Sequence, residues 1–442
     1  MSIAERGTLR SGLTAAQRRL WMSEQINPSS DGYLIRSCVR MEPGADPDLL
    51  EAALGDVVDA HPSFRTEFCW DDEGSPAQVV RERVPPQVER VATGSDEADG
   101  TGAWTPPPFD LERAPLIAFR IVCHADLATR LDVVGHHIVF DGWSLGIFVA
   151  DLGRAYDARV KGDRADLTGR PGMAEFSDAE ADWLRRPEGA GRVAELADVL
   201  RGAPELVAIP TDRPRRTDAQ GTSPTGAGLH FTLPWDLSED VTAFVASRRV
   251  TLNMVGLAAF ATVVGHWSGT SDVVVGSAFA GRTSLRAEQC VGCFINVVPL
   301  RVSVDSGATF AELLDHVRDR VIFGTEHQDV PFDRLLEELR PARSPQYDPL
   351  VQVAFGVQNT EPAEYRGGVR MVGEPAPDDD AEARLDLTLW LEESPEGLKA
   401  LWTYRQDLFD RATIAGVNQW FFRVLGQASA DPDVPLSSLT RD

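Results

Sequence analysis

The segment His136-His137-Ile138-Val139-Phe140-Asp141-Gly142-Trp143-Ser144 constrains the fold of this chain more than any other feature. It closes an apolar strand, Leu131 to Val139, and opens a helix carrying Leu145, Phe148, Val149, Leu152 and Tyr156 on one face. A strand handed to a helix through an Asp-Gly turn points to an α/β arrangement. Adjacent strand residues face opposite ways, so the two histidines cannot share one cavity. One should address a substrate while the other packs or braces. The backbone amides at the helix start would favour developing negative charge.

Three chemistries compete for this segment. A metal site needs several converging ligands, and neighbouring strand histidines diverge, so no metal is expected. A packed core pair is the ordinary reading of an isolated His-His. The strand-turn-helix setting and the Asp-Gly favour a third, acid/base chemistry. A neutral imidazole titrates near working pH and takes a proton from an attacking amine or hydroxyl.

The rest of the chain repeats the α/β theme. Thr14 and Gln17 have capping-box spacing ahead of a first helix. A strand from Tyr33 to Met41 follows, then a helix with Asp46 as N-cap and Pro47 at its first turn. Residues 74–108 lack structural signals and read as a long surface loop, before a strand from Leu116 to Cys123. Residues 185–228, rich in Pro, Arg, Gly and Thr, read as a crossover between an N-terminal lobe, 1–184, and a C-terminal lobe, 185–442. In the second half, helices are expected near Asn253–Trp267, Thr309–Phe323 and Arg411–Gln427. Strands are expected near Asp272–Ser277, Phe294–Val302, Val351–Val357, Leu385–Leu391 and Leu398–Tyr404. Two α/β lobes of similar size fit this pattern better than one large sheet.

Composition excludes some functions. A formal net charge of -25 opposes binding to nucleic acid and to anionic membrane surfaces. The N-terminus lacks the apolar stretch of a secretory signal, and no apolar run is long enough to span a bilayer, so a soluble, cytoplasmic protein is expected. Five scattered cysteines do not form a disulfide framework. Cys290-Val291-Gly292-Cys293 has CxxC spacing but no second ligand pair, and reads as small residues leading into a strand.

With these residues in view, HHxxxDGxS resembles the signature of the chloramphenicol acetyltransferase-like acyltransferases, and particularly of nonribosomal peptide condensation domains. A series of further segments follows that family's order. Leu13 to Trp21 resembles the first motif, with Thr14 where Ser is usual. His61 to Phe68 resembles the second, with Pro62 and Phe64 departing from Glu and Leu. Phe176 to Trp183 loosely matches the fourth, Val291 to Asn296 the fifth, and His327 to Asp333 the sixth. Ser344 to Leu350 is a weakened seventh. Leu145 after Ser144 separates the chain from epimerisation domains, which place Trp there, and the histidines separate it from heterocyclising relatives.

The resemblance implies two chloramphenicol-acetyltransferase-like lobes forming a V-shaped pseudodimer with a central tunnel. It implies that His137 faces the tunnel and positions, or deprotonates, an acceptor attacking a thioester on the phosphopantetheine arm of a peptidyl carrier protein. The acceptor would be a small molecule or carrier-bound, and the product an amide or ester. No cofactor bound by the chain itself is implied. Gly142 would keep the backbone close to the reacting centre. His136 and Asp141 would be structural, with Arg65 or Arg282 as the salt-bridge partner of Asp141. Trp143, Ser144 and Asn359 are candidates for lining the tunnel. The chain shows no adenylation or carrier segment, so it reads as a free-standing enzyme or an excised domain, the former favoured by its short N-terminal lead. A CoA-dependent acyltransferase and a non-catalytic recruiting module are the alternatives.

Overall fold

A computed structural model describes residues 9–26, 33–92, 104, 106–215, 226–342, 344–358, 363–375, 383–394 and 396–441. The first stretch of chain forms β1 (Leu9–Gly12), α1 (Ala15–Ile26), β2 (Leu34–Ala45), α2 (Pro47–Ala60), β3 (Thr66–Trp70), β4 (Pro76–Val80), β5 (Gln87–Ala92), β6 (Ile117–His124), β7 (Leu127–His136), α3 (Gly142–Val160) and α4 (Met173–Arg185). Local chemistry starts the helices. Gln17 N donates to Thr14 Oγ1 at 3.3 Å and Thr14 N to Gln17 Oε1 at 3.1 Å, which closes the capping box of α1. Asp46 Oδ1 accepts from Asp48 N and Leu49 N at 2.9 and 3.0 Å, with Pro47 opening α2.

The expected loop over 74–108 contains β4 and β5. β4 is central in a three-stranded sheet of order β1-β4-β3. Its Ala77, Gln78 and Val79 are all buried, so the alternation that would reveal it is missing. β5 pairs in parallel with β6 at a sheet edge, and its largely exposed side chains carry no apolar pattern.

The remaining elements are α5 (Pro187–Leu200), β8 (Gly226–Thr232), α6 (Trp235–Arg248), α7 (Leu252–Ser268), β9 (Asp272–Phe279), α8 (Leu285–Glu288), β10 (Asn296–Ser303), α9 (Phe310–Glu326), α10 (Phe332–Leu339), β11 (Val353–Gln358), β12 (Ala363–Arg366), β13 (Arg370–Pro375), β14 (Leu387–Ser394), β15 (Gly397–Arg405) and α11 (Arg411–Ala430). The segment anticipated as a crossover starts with α5, a regular helix opened by Pro187 that buries Val193, Leu196, Ala197 and Leu200 on one face.

The chain folds as two units that are discontinuous in sequence, which a single cut near residue 185 does not describe. Unit 1 joins Met1–Arg186 to Ala280–Ile295 and Thr360–Pro377. The β12-β13 hairpin extends its sheet, ordered β12-β13-β2-β7-β6-β5, by pairing β13 with β2. Helices α2 and α3 pack together beside it, over a core including Phe64, Phe119, Phe140 and Phe148. Unit 2 comprises Pro187–Phe279, Asn296–Asn359 and Asp378–Asp442. Its sheet runs β10-β9-β11-β14-β15-β8, parallel on both sides of β11, with the apolar helix α7 buried between other elements. Among the described residues no single helix is long and apolar enough to cross a membrane.

Candidate functional site

β7 delivers the histidine pair to the interior of unit 1. His136 ends the strand, residues 137–140 turn, and Asp141 caps α3. Both histidines are buried, with 4 and 5% of their surface exposed. His136 Nδ1 accepts the Ile138 N–H at 3.1 Å, which leaves the proton of a neutral ring on Nε2. His137 is arranged the other way. Its Nδ1 lies 3.1 Å from the Phe140 carbonyl, which only accepts, so Nδ1 carries the proton and Nε2 the lone pair. Neighbouring residues thus hold opposite tautomers, and His137 has the one suited to taking a proton at Nε2.

Asp141 anchors the turn. Its Oδ1 accepts from Ser144 N at 2.9 Å, Ser144 Oγ at 2.7 Å and Arg282 Nη2 at 2.8 Å. Its Oδ2 accepts from Arg282 Nη2 at 2.8 Å and from Phe294 N at 3.2 Å. Arg282 therefore makes the salt bridge, with 1% of its side chain exposed against 7% for Asp141. Arg65 does not reach it. Arg65 donates instead to the carbonyls of Arg81 and Glu82, tying the short helical turn Pro62–Arg65 to the chain just after β4, and burial lowers its pKa from the usual value.

Arg282 also donates through Nη1 to Ala287 O and Cys290 O, both at 2.6 Å. Its guanidinium lies 4.4 Å from the Phe294 ring centroid and 5.8 Å from that of Trp143. Gly281 permits this approach: its φ is +65°, and a Cβ there would stand 2.1 Å from Phe294 O. The fifth motif is thereby welded to the strand-turn-helix. Ser144 Oγ accepts from Gly292 N at 3.0 Å, and Ser63 of the second motif donates to Val291 O at 2.5 Å.

The candidates for lining a substrate path separate here. Ser144 is fully buried and held by Asp141 and Gly292, so it is scaffolding rather than lining. Trp143 is 38% exposed, with its Nε1 donating to Glu288 O at 3.1 Å. Asn359 lies outside the described residues. Gly142 opens α3, and a Cβ there would meet nothing within 4 Å. The protein itself does not require glycine at that position.

The other motif histidines are occupied in structure. His61 Nε2 lies 3.0 Å from Asp151 Oδ2 in the core of unit 1. Burial lowers the pKa of His61, and the Asp151 contact only partly opposes it. Burial also pushes Asp151 upward, but His61 and Arg170 outweigh that and hold the carboxyl below its ordinary range. In unit 2, His327 uses Nδ1 on Phe323 O at 2.8 Å and Nε2 on Glu195 at 3.1 Å. Asn296 Nδ2 donates to Gln328 O and Val330 O, binding the end of the fifth motif to the sixth.

Sequence reasoning gave Cys293 no role, yet its Sγ lies 3.8 Å from His137 Nδ1, beside the Phe140 carbonyl. The only signal was its position in the fifth motif. Cys290 points elsewhere, to Pro171 O at 3.4 Å, and burial pushes its thiol up to about 12. Neither thiol is in a disulfide. Among the described residues, no group of three His, Cys, Asp or Glu is placed to hold a metal ion.

A family model described as the condensation domain matches residues 11–441. One of the linear gramicidin synthase proteins of Brevibacillus parabrevis is 34% identical over 445 residues, covering 97% of this chain and 6% of that protein. Phosphinothricin tripeptide synthetase PhsB of Streptomyces viridochromogenes is 34% identical over 447 residues, covering 97% of this chain and 36% of that protein. The chain thus spans well under two thirds of these relatives. Among solved structures, the X-domain from teicoplanin biosynthesis matches with a TM-score of 0.82 and 25% identity, over 99% of this chain and 98% of that one. The first condensation domain of the CDA synthetase matches with a TM-score of 0.80 and 20% identity, over 97% and 98%.

Proposed function

The chain belongs to the condensation-domain family of nonribosomal peptide synthesis, and from that premise we propose that it transfers a carrier-bound acyl or aminoacyl group to an amine or hydroxyl acceptor. Members of this family are acyltransferases that form amide bonds. In the proposed reaction the acceptor nitrogen or oxygen attacks the thioester carbonyl, and a C–N or C–O bond forms as the C–S bond breaks. His137 Nε2 takes the acceptor's proton and passes it to the departing thiolate. A thioester is already activated, so much of the acceleration comes from holding two substrates together, an effect of up to about 7–11 kcal/mol.

The observation that carries this reading is the tautomer of His137, fixed by the Phe140 carbonyl at 3.1 Å so that Nε2 bears the lone pair. The open space at Gly142 supports it, since a glycine that no protein atom requires suits a position reserved for substrate. The donor would arrive on the phosphopantetheine arm of a peptidyl carrier protein in the cytoplasm, and nothing in the mechanism calls for a metal or nucleotide. A recruiting role is the second reading. It is favoured by the likeness to the X-domain, which another solved structure shows in a complex with OxyB.

The test offers the full chain one acyl group as a carrier-bound thioester and as acyl-CoA, with a panel of amines and alcohols, and follows products by mass spectrometry. Transfer from the carrier is expected, and the product mass separates amide from ester. Transfer from acyl-CoA alone would replace the reading with a CoA-dependent enzyme. No turnover across the panel would favour recruitment.

A further inference from the structure

Two buried polar atoms in unit 1 face one another at 3.5 Å, neither with a hydrogen-bond partner among the described residues: Glu24 Oε1, near the end of α1, and His136 Nε2. Their side chains are 12 and 5% exposed. The proton of His136 is on Nε2, because Nδ1 accepts the Ile138 N–H. A carboxylate oxygen and a ring N–H therefore stand opposed, and each left unpaired in the interior costs more than the bond between them. A shift of about half an ångström completes that bond.

The neighbouring residue makes a second attachment. Ser23 Oγ lies 2.8 Å from the Tyr33 hydroxyl, and the Tyr33 carbonyl accepts the His137 N–H at 2.7 Å. Consecutive residues of α1 thus reach the two consecutive histidines by separate routes.

We infer that Glu24 is a positioning residue, whose carboxylate accepts the Nε2–H of the His136 tautomer set by the Ile138 amide, and so holds the ring and the turn that presents His137. The chain of bonds runs from Glu24 through the His136 ring to the Ile138 amide, inside the turn itself. The inference rests on reading His137 as the proton acceptor, and it gives the end of α1, just past the first motif, a role beyond forming a helix and filling core.

The test compares the full chain with Glu24→Gln, which keeps an acceptor, and with Glu24→Ala and Glu24→Met, which remove it. Two readouts are taken: nitrogen NMR of the His136 ring, and kcat and KM for acyl transfer. The wild type and Glu24→Gln are expected to show one tautomer, protonated at Nε2, and to agree in kcat within about threefold. The acceptor-free variants are expected to keep the Nε2 tautomer, which the Ile138 amide holds, but to show an Nε2–H that is no longer hydrogen-bonded and exchanges faster with solvent. They should also lose about ten- to a hundredfold in kcat at little-changed KM, the worth of one hydrogen bond to a charged group. Glu24→Met serves should Glu24→Ala not fold. An unchanged His136 Nε2–H resonance and exchange rate in a folded acceptor-free variant would overturn the inference, as would Glu24→Gln failing as badly as Glu24→Met. If the wild type transfers nothing, the reading of His137 falls, while the ring spectra still decide the role of Glu24.

Discussion

Replacing Arg282 by Met isolates the worth of the buried pair beneath the histidine turn. The side chains of Arg282 and Asp141 are 1 and 7% exposed, so the carboxylate left behind cannot turn to water. Breaking such a pair by removing one partner costs about 3–5 kcal/mol. Two features of the site act in opposite directions. Asp141 keeps three donors, Ser144 N, Ser144 Oγ and Phe294 N, which lowers the cost. Ala287 O and Cys290 O both lose the Arg282 Nη1 donor, which raises it by about 1–3 kcal/mol for each that stays unpaired. The expected net loss is about 4 kcal/mol.

Because two units need not unfold together, a global midpoint is a poor measure. Hydrogen exchange at the Ser144 and Phe294 amides reads the site directly, and about 4 kcal/mol corresponds to about a thousandfold faster exchange through local opening. The double variant Asp141→Asn/Arg282→Met contains no stranded charge. It should cost less than the sum of the single changes by at least about 1.5 kcal/mol. Strict additivity, or acceleration of Arg282→Met below about fivefold, would refute the account of this pair.

Three further outcomes are expected. Gly142→Ala should leave stability unchanged or raise it by about 0.5–1 kcal/mol, since Ala is the better helix residue and its Cβ meets nothing, while acyl transfer falls at least about tenfold; full activity in this variant would remove Gly142 from the reaction. His61 has an ordinary pKa of 6.5 that burial lowers in the folded state, so unfolding takes up a proton below about pH 6.5. Its contribution to stability is present above that pH and lost as pH falls toward the lowered value, and His61→Gln should flatten this part of the curve in denaturant titrations at about pH 5 to 7.5. Cys290, buried and pushed up to about 12, should resist iodoacetamide at about pH 8 in the native protein and react once it is unfolded, as peptide mass mapping would show.

Much of the fold was legible because apolar period and capping chemistry agree locally. The Thr14/Gln17 box and Asp46-Pro47 mark helix starts, and α3, α7, α9 and α11 follow apolar stripes or runs. What escaped was decided by distant partners. β4 is buried on both faces and does not alternate, β5 is an exposed edge, and the β12-β13 hairpin belongs to a sheet whose other strands lie more than two hundred residues earlier. At the site, the histidine turn could be read from residue types, and an arginine under Asp141 was implied by the family resemblance. The choice of Arg282 could not, since it depends on Gly281 adopting a positive φ and on the two carbonyls waiting for Nη1. Ser144 looked available by its place in the motif, but the Gly292 backbone buries it.

The most direct test of the central claim is the single-turnover rate of acyl transfer by His137→Ala, measured with a carrier-bound donor and an accepted nucleophile. Removing a general base should slow the chemical step by about 10²–10⁴-fold while the fold, followed by exchange at Ser144 and Phe294, stays intact. A variant that transfers at the wild-type rate would contradict the role given to His137 and leave this buried turn as scaffold alone.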